Sequence, residues 1–369
     1  LVVMAVTSVL AAFALASRHD AVIARQAAER RQKQAEGLVD FMLGNLSDRL
    51  LAESRLDIMQ DVDDHAMAYF KSLPPTDVNG MALAQRAKAL EKIGSVRMDS
   101  GDLPGALEAF DASEAISLRL ASAEPANTAR WVAYSRTLAY IGMAHWNQGK
   151  LADAQLGFER ARQVLQPSLQ HAPDYLPLLA QMTYLDSNLD HVLAALGQPA
   201  KASELADERL KFDQRLLKAK PDDIGYASDL GAAHNELGRL ALQRGDLAAA
   251  VAEYRDDDAI ETRLSLQNGA DHNQRELMLK THAILGRTLA LAGDEANGMQ
   301  DLQQSVAWAS RLSQFDPQDT DVRDLTALYS TQLARLQGQN GNQPAAIALN
   351  AHAIMLLAAL IKQDPTNHY

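Results

Sequence analysis

Residues 140–161 read YIGMAHWNQGKLADAQLGFERA, and the spacing inside this stretch recurs along most of the chain. Gly142 is followed seven positions later by Gly149, and Ala154 and Phe158 lie five and nine positions beyond that. Glycines equivalent to Gly149 stand at Gly101, Gly197, Gly245, Gly293 and Gly341, each 48 residues from the next. Glycine is only 20 of 369 residues, so six in one register mark an internal repeat. The breakers Pro125, Pro173, Pro221, Gly269, Pro317 and Pro365 keep the same period, each 24 residues after a turn glycine. A unit therefore reads as two helices of nearly equal length, with a Gly turn inside it and a Pro or Gly turn between units.

The interior slots agree. Seven residues before the turn glycines lie Gly94, Gly142, Asp190, Gly238, Gly286 and Ala334, each preceded by Ile or Leu. Five residues after them lie Ala106, Ala154, Ala202, Ala250, Gly298 and Ala346; nine after them lie Phe110, Phe158, Ala206, Tyr254, Leu302 and Asn350. Two antiparallel helices approach closely only where side chains are small, which explains the Gly and Ala slots. A bulky residue one turn on fills the space between units. The turn glycine supplies the left-handed conformation that ends the first helix. Asp102, Asp246, Asp294 and Asn342 follow it in four units and are placed to cap the second helix. One hairpin cannot bury its apolar face alone, so the units must stack.

This pattern resembles the tetratricopeptide repeat: a Leu-Gly pair in the first helix, a turn glycine, an Ala and then an aromatic in the second helix, and a closing Pro. The resemblance covers roughly residues 82–369. It implies an all-α, right-handed solenoid of six hairpins, with units at about 81–125, 126–173, 174–221, 222–269, 270–317 and 318–369. The unit of 48 residues departs from the usual one of about 34, which lengthens each helix by about two turns. The third and sixth units are degenerate, with Asp190 in the small slot of one and Asn350 in the aromatic slot of the other.

Residues 1–17, LVVMAVTSVLAAFALAS, carry no charge. A spanning helix needs about 20 apolar residues, so they read as part of a transmembrane helix, with a cleaved signal or a buried helix as alternatives. Residues 18–37 read as a helical linker and 38–80 as helices capping the open end of the array. The stretch 35–70 is similar to the segment joining a membrane helix to such repeats in bacterial multidomain signalling proteins, where a kinase, cyclase, TIR or DNA-binding module lies upstream. That resemblance implies a single-pass inner-membrane protein. Its repeats are periplasmic if the upstream domain is cytoplasmic, and cytoplasmic if the basic stretch after residue 17 sets orientation.

The net charge is −12, which disfavours a nucleic-acid partner. There is no cysteine, hence no disulfide, thiolate metal site or Cys nucleophile. Signatures of phosphate-binding loops, serine hydrolases and zinc proteases are missing, and the stretch 234–238, HNELG, lacks the second His of a zinc motif. The acids at Asp61, Asp63 and Asp64 with His65, and those at Asp256–Asp258, read as solvated helix faces. His234 and His282 occupy equivalent slots, but the other residues there supply no further ligand set. The sequence gives no cofactor, metal or catalytic residue, and points to a non-enzyme.

In the family resembled, first helices line the concave side, where ligands usually lie. Projecting that geometry selects His191, Arg239, Arg287 and Arg335 in one slot, and Lys88, Arg136 and Lys280 seven positions earlier. Tyr140, Trp146 and Tyr184 add apolar anchors. Three arginines in register suit an acidic peptide or a C-terminal carboxylate; the alternative is that each pairs with a carboxylate on a neighbouring helix. The expected function is a membrane-tethered scaffold or sensor that holds a partner protein or peptide. Two rivals stand beside it: the regulatory half of a signalling enzyme with its catalytic domain upstream of residue 1, and a spacer that dimerises through residues 22–50.

Overall fold

The computed structural model describes residues 80–267, 272–315 and 319–363, together with the isolated positions Arg18 and His65. Those two positions and Gly80 aside, the expected membrane helix, linker and cap (1–80) lie outside the described residues, as do Gly269, Pro317 and Pro365. The described residues are all-α, of the solenoid class, and contain no strand.

The chain divides into two compact units, Leu1–Gln181 and Met182–Tyr369. The first contains α1 (Gly80–Asp99), α2 (Leu103–Ala123), α3 (Thr128–Asn147), α4 (Leu151–Gln163) and α5 (Gln166–His171). Helix α6 (Leu176–Ala195) carries the boundary. The second unit continues through α7 (Pro199–Ala219), α8 (Ile224–Gln243), α9 (Leu247–Ser265), α10 (His272–Leu291), α11 (Glu295–Phe315), α12 (Thr320–Gln339) and α13 (Gln343–Gln363). First helices begin at 80, 128, 176, 224, 272 and 320, and second helices at 103, 151, 199, 247, 295 and 343, each series at a constant 48 residues.

The turn glycines do what their slot requires. All six have positive φ, from +70° at Gly197 to +92° at Gly293. At each, the amide of the residue after the glycine bonds back to the carbonyl five residues earlier: Asp102 to Arg97 at 2.8 Å, Lys150 to His145 at 2.9 Å, Asp246 to Ala241 at 2.9 Å. This pattern satisfies the orphan carbonyls of the first helix. The side chains of Asp102, Asp246, Asp294 and Asn342 then accept from the amides of Gly105, Ala249, Asn297 and Ala345, opening the second helices.

The small slots are close crossings. A β-carbon on Gly94 would stand 2.3 Å from the Phe110 ring, and one on Gly286 would stand 2.8 Å from the carbonyl of Gly298. Serine hydroxyls tie some crossings to backbone: Ser113 donates to the Ala87 carbonyl, Ser135 to that of Ala161 and Ser305 to that of Leu279, at 2.8–2.9 Å. Between hairpins the core is apolar. Phe110 of α2 packs with Ala144 of α3; Val251 and Tyr254 of α9 pack with Leu285 and Leu289 of α10; Leu302 and Ala309 of α11 pack with Tyr329 and Leu333 of α12.

One second helix departs from the regular hairpin. Pro167 lacks an amide proton and its ring opposes the carbonyl of residue 163, so the helix breaks there into α4 and α5.

Candidate functional site

The first-helix residues selected from sequence fall into three physical groups. The first is committed to internal pairs. Arg136 on α3 reaches back to Glu91 on α1, with its Nη2 at 2.9 Å and its Nε donating to the same carboxylate at 3.0 Å. Thr137 donates to the other oxygen of Glu91 at 2.5 Å. Burial still holds the Glu91 carboxyl above its usual range, although Arg136 and Thr137 oppose that shift. Arg239 on α8 grips Glu236, one turn before it, through Nε and Nη2, and lies 4.0 Å from Asp190 on α6. Lys280 on α10 pairs with Glu276 at 2.6 Å on its own helix.

The second group packs. The Tyr140 ring stacks on Phe110 with centroids 5.3 Å apart, and both Tyr140 and Trp146 are half-buried. His191 directs Nδ1 to the Ser187 carbonyl at 2.6 Å, and Tyr184 is exposed about two turns earlier on the same helix.

Lys88, Arg287 and Arg335 form the third group. All three are exposed, and none makes an ion pair among the described residues. Arg287 and Arg335 hold the same slot in consecutive hairpins of the second unit. Burial pushes the hydroxyls of Tyr254 and Tyr329 up to about 12, and the charge of Arg287 acts on both in the opposite direction. Among the described residues, the three-arginine ladder is therefore two guanidiniums without an ion pair beside a paired one.

A feature that the sequence reading missed is a set of buried charges in the second unit. At the slot twelve residues after the turn glycines the chain carries Ser113, Ala161, Arg209, Asp257, Ser305 and Ala353; four residues on it carries Ser117, Leu165, Asp213, Glu261, Ala309 and Leu357. Only the third and fourth hairpins place charge there, and all four of those groups are buried. Arg209 and Asp213 lie 3.4 Å apart. Burial raises the Asp213 carboxyl to about 6 against the pull of Arg209. Asp257 accepts from Asn235 at 2.7 Å, and burial raises it to about 7. Glu261, beside Ser228, is likewise raised to about 7 by burial and by the charge of Asp257. Gly231 makes room for both acids, since a β-carbon there would lie 2.7 Å from a Glu261 oxygen. Aligning the six units slot by slot is the signal that exposes this layer.

One sequence reading is corrected here. Asp256–Asp258 are not a uniform solvated face: Asp257 is buried, and Asp258 pairs with His282 at 2.9 Å. His234 pairs with Glu253 at 2.8 Å. Asp61, Asp63 and Asp64 lie outside the described residues.

No protein-family model matches the sequence, and no curated protein matches it. Solved structures do. BtubC (BKLC) from P. vanneervenii superposes with a TM-score of 0.55 at 15% identity, covering 71% of this chain and 92% of that one. The apo form of RapI superposes with a TM-score of 0.51 at 11% identity, covering 88% and 98%. A Podosopora anserina kinesin light chain, described as having nearly identical TPR-like repeats, is also matched, at 18% identity over 62% and 96% with a TM-score of 0.46. Identities this low speak of fold alone, and the fold they share with this chain is an all-α solenoid.

Proposed function

We propose that the chain is a protein-interaction scaffold whose first-helix face binds an acidic peptide segment, and that Arg287 and Arg335 are its principal contacts. The observation that carries this is their freedom. Arg136, Arg239 and Lys280 are committed to Glu91, Glu236 and Glu276, whereas Arg287 and Arg335 stand exposed without an ion pair among the described residues. An exposed guanidinium in a protein of net charge −12 suits a carboxylate that the protein does not itself provide. Stacked hairpins present extended surfaces of this kind, and a site made of fixed cations on rigid helices needs no catalytic step. Lys88 extends the same chemistry in the first unit. Residues 1–17, uncharged throughout, would hold the scaffold at a membrane.

The test is a titration of the full chain with fluorescent Asp/Glu-rich peptides, each made with a free or an amidated C-terminus. Arg287→Gln with Arg335→Gln should weaken binding by about tenfold or more, and the affinity should fall with added salt. Unchanged affinity in the double variant, or no binding of any acidic peptide, sinks the proposal.

A further inference from the structure

Helix α13 (Gln343–Gln363) is unlike the other second helices. It is apolar, with a mean hydropathy of 1.9 in its central window, and only 11% of that window is buried. Ile347, Ile354 and Ile361 follow one another at seven-residue spacing and are 67%, 66% and 62% exposed. Asn350 and Leu357 fall between them, also exposed, so the steps alternate three and four residues. This is the spacing of a helix-pairing seam, with Ile at one core position and Asn350 then Leu357 at the other.

The repeat itself shows what such a face is for. Ile347 and Ile354 are the sixth and thirteenth residues after their turn glycine. In α11 those slots hold Met299 and Val306, which pack against the core cluster that includes Tyr329 and Leu333 of α12. In α9 the first of them is Val251, packed with Leu285 and Leu289 of α10. The face that α13 exposes is thus continuous with the interface by which hairpins stack, and its occupant should be another helix.

Charge selects the occupant. The protein carries 47 Asp and Glu residues, yet α13 has none, and its only fixed charge is Lys362. Two copies of an acidic chain can meet on this helix without carboxylates opposing each other. A membrane-surface helix would instead display a basic polar face, which α13 lacks.

We propose that α13 is a self-association surface, through which two copies of the chain pair antiparallel about a two-fold axis at Ile354. That axis sets Ile347 of one copy against Ile361 of the other, and the opposed helix dipoles favour the arrangement. The proposal is independent of the peptide site on the first helices.

The chain has no cysteine, so single substitutions give clean cross-links. In the full chain, Ile354→Cys should form a disulfide-linked dimer on mild oxidation. Ile347→Cys and Ile361→Cys should each fail alone and cross-link when mixed. Sedimentation should give twice the 40.1 kDa chain mass, and Ile354→Asp should weaken association about tenfold or more. Ile354 is exposed in the single chain, so at a dilution where both are monomeric the variant should unfold at the parent's temperature, which separates lost pairing from lost folding. Four results overturn the proposal: a monomer at about 100 μM, a dimer insensitive to Ile354→Asp, self-cross-linking of Ile347→Cys, or a dye on Ile354→Cys that enters an apolar environment only when phosphatidylcholine vesicles are added.

Discussion

A β-carbon on Gly238 would stand 2.8 Å from the ring of Tyr254, the residue that fills the aromatic slot of the same hairpin. The contact couples two slots sixteen residues apart, so a glycine in mid-helix is here a packing residue, not a flexible one.

Alanine substitutions at the equivalent glycines should therefore give a graded series. Alanine gains about 1 kcal/mol of helix propensity over glycine, while overpacking costs about 1–3 kcal/mol. At Gly142 the nearest atoms would be 3.4 Å away, so Gly142→Ala should be close to neutral. At Gly238 the ring must move, so Gly238→Ala should destabilise. At Gly286 the obstruction is the backbone carbonyl of Gly298 at 2.8 Å, which cannot rotate aside, so Gly286→Ala should be the worst of the three. Urea midpoints measure the order. Equal values for the three variants would show that the crossings relax freely.

The turn glycines make the opposite case. A β-carbon on Gly245 would meet nothing within 4 Å, but its φ is +77°. Gly245→Ala should cost about 1–2 kcal/mol through backbone strain alone, and Gly245→Asn should recover part of that, since Asn tolerates this region. Melting temperatures of the two variants check it; alanine matching the parent would refute the strain account.

Both glycine classes were legible in the sequence because each obeys a local rule repeated six times. The end of a helix needs positive φ, and a helix crossing needs a missing side chain. Asp102 and Asp246 were legible as caps for the same reason. The fate of the cations was not. Arg136 finds Glu91 on another hairpin, 45 residues earlier, and no periodicity of one helix reveals that. Arg239 is more instructive: its partner Glu236 lies three residues before it, so a glance along α8 would have separated Arg239 from Arg287, whose equivalent position holds Ile284. The buried acids escaped notice because hydrophobic patterning treats Asp257 and Glu261 as surface, while the room left by Gly231 lies on the facing helix.

Arg239 and Arg287 should accordingly respond in opposite ways to the same change. Arg239→Gln leaves Glu236 and Asp190 without their cation in a largely buried setting, and should lower stability by about 1–3 kcal/mol. Arg287→Gln removes no ion pair among the described residues and should leave stability within about 0.5 kcal/mol. Chemical denaturation of the two single variants decides it, and equal losses would place Arg287 in a structural role.

The buried carboxyls also set how stability varies with pH. Asp213, Asp257, Glu261 and Asp190 are raised to about 6, 7, 7 and 8, mainly by burial, with the neighbouring Glu236 adding to the shift at Asp190. An acid whose folded-state value lies above its unfolded one keeps its proton in the native protein while the unfolded chain has already lost it. Between about pH 4 and 8 the native state then binds more protons, and stability falls as pH rises. Glu236 runs the other way, because its bonds to Arg239 and Asp190 hold its carboxyl low against the cost of burial; its contribution is present above the usual glutamate range and is lost on acidification. The second unit should therefore be more stable at pH 5 than at pH 8, and weaken again in stronger acid. Glu261→Gln removes the penalty while keeping the shape, so it should be close to neutral at pH 5, stabilising at pH 8, and should flatten the profile between them. Melting curves of parent and variant across pH 4–9 provide the check, and a parent whose stability rises from pH 5 to 8 would show that these acids are ionised in the folded chain.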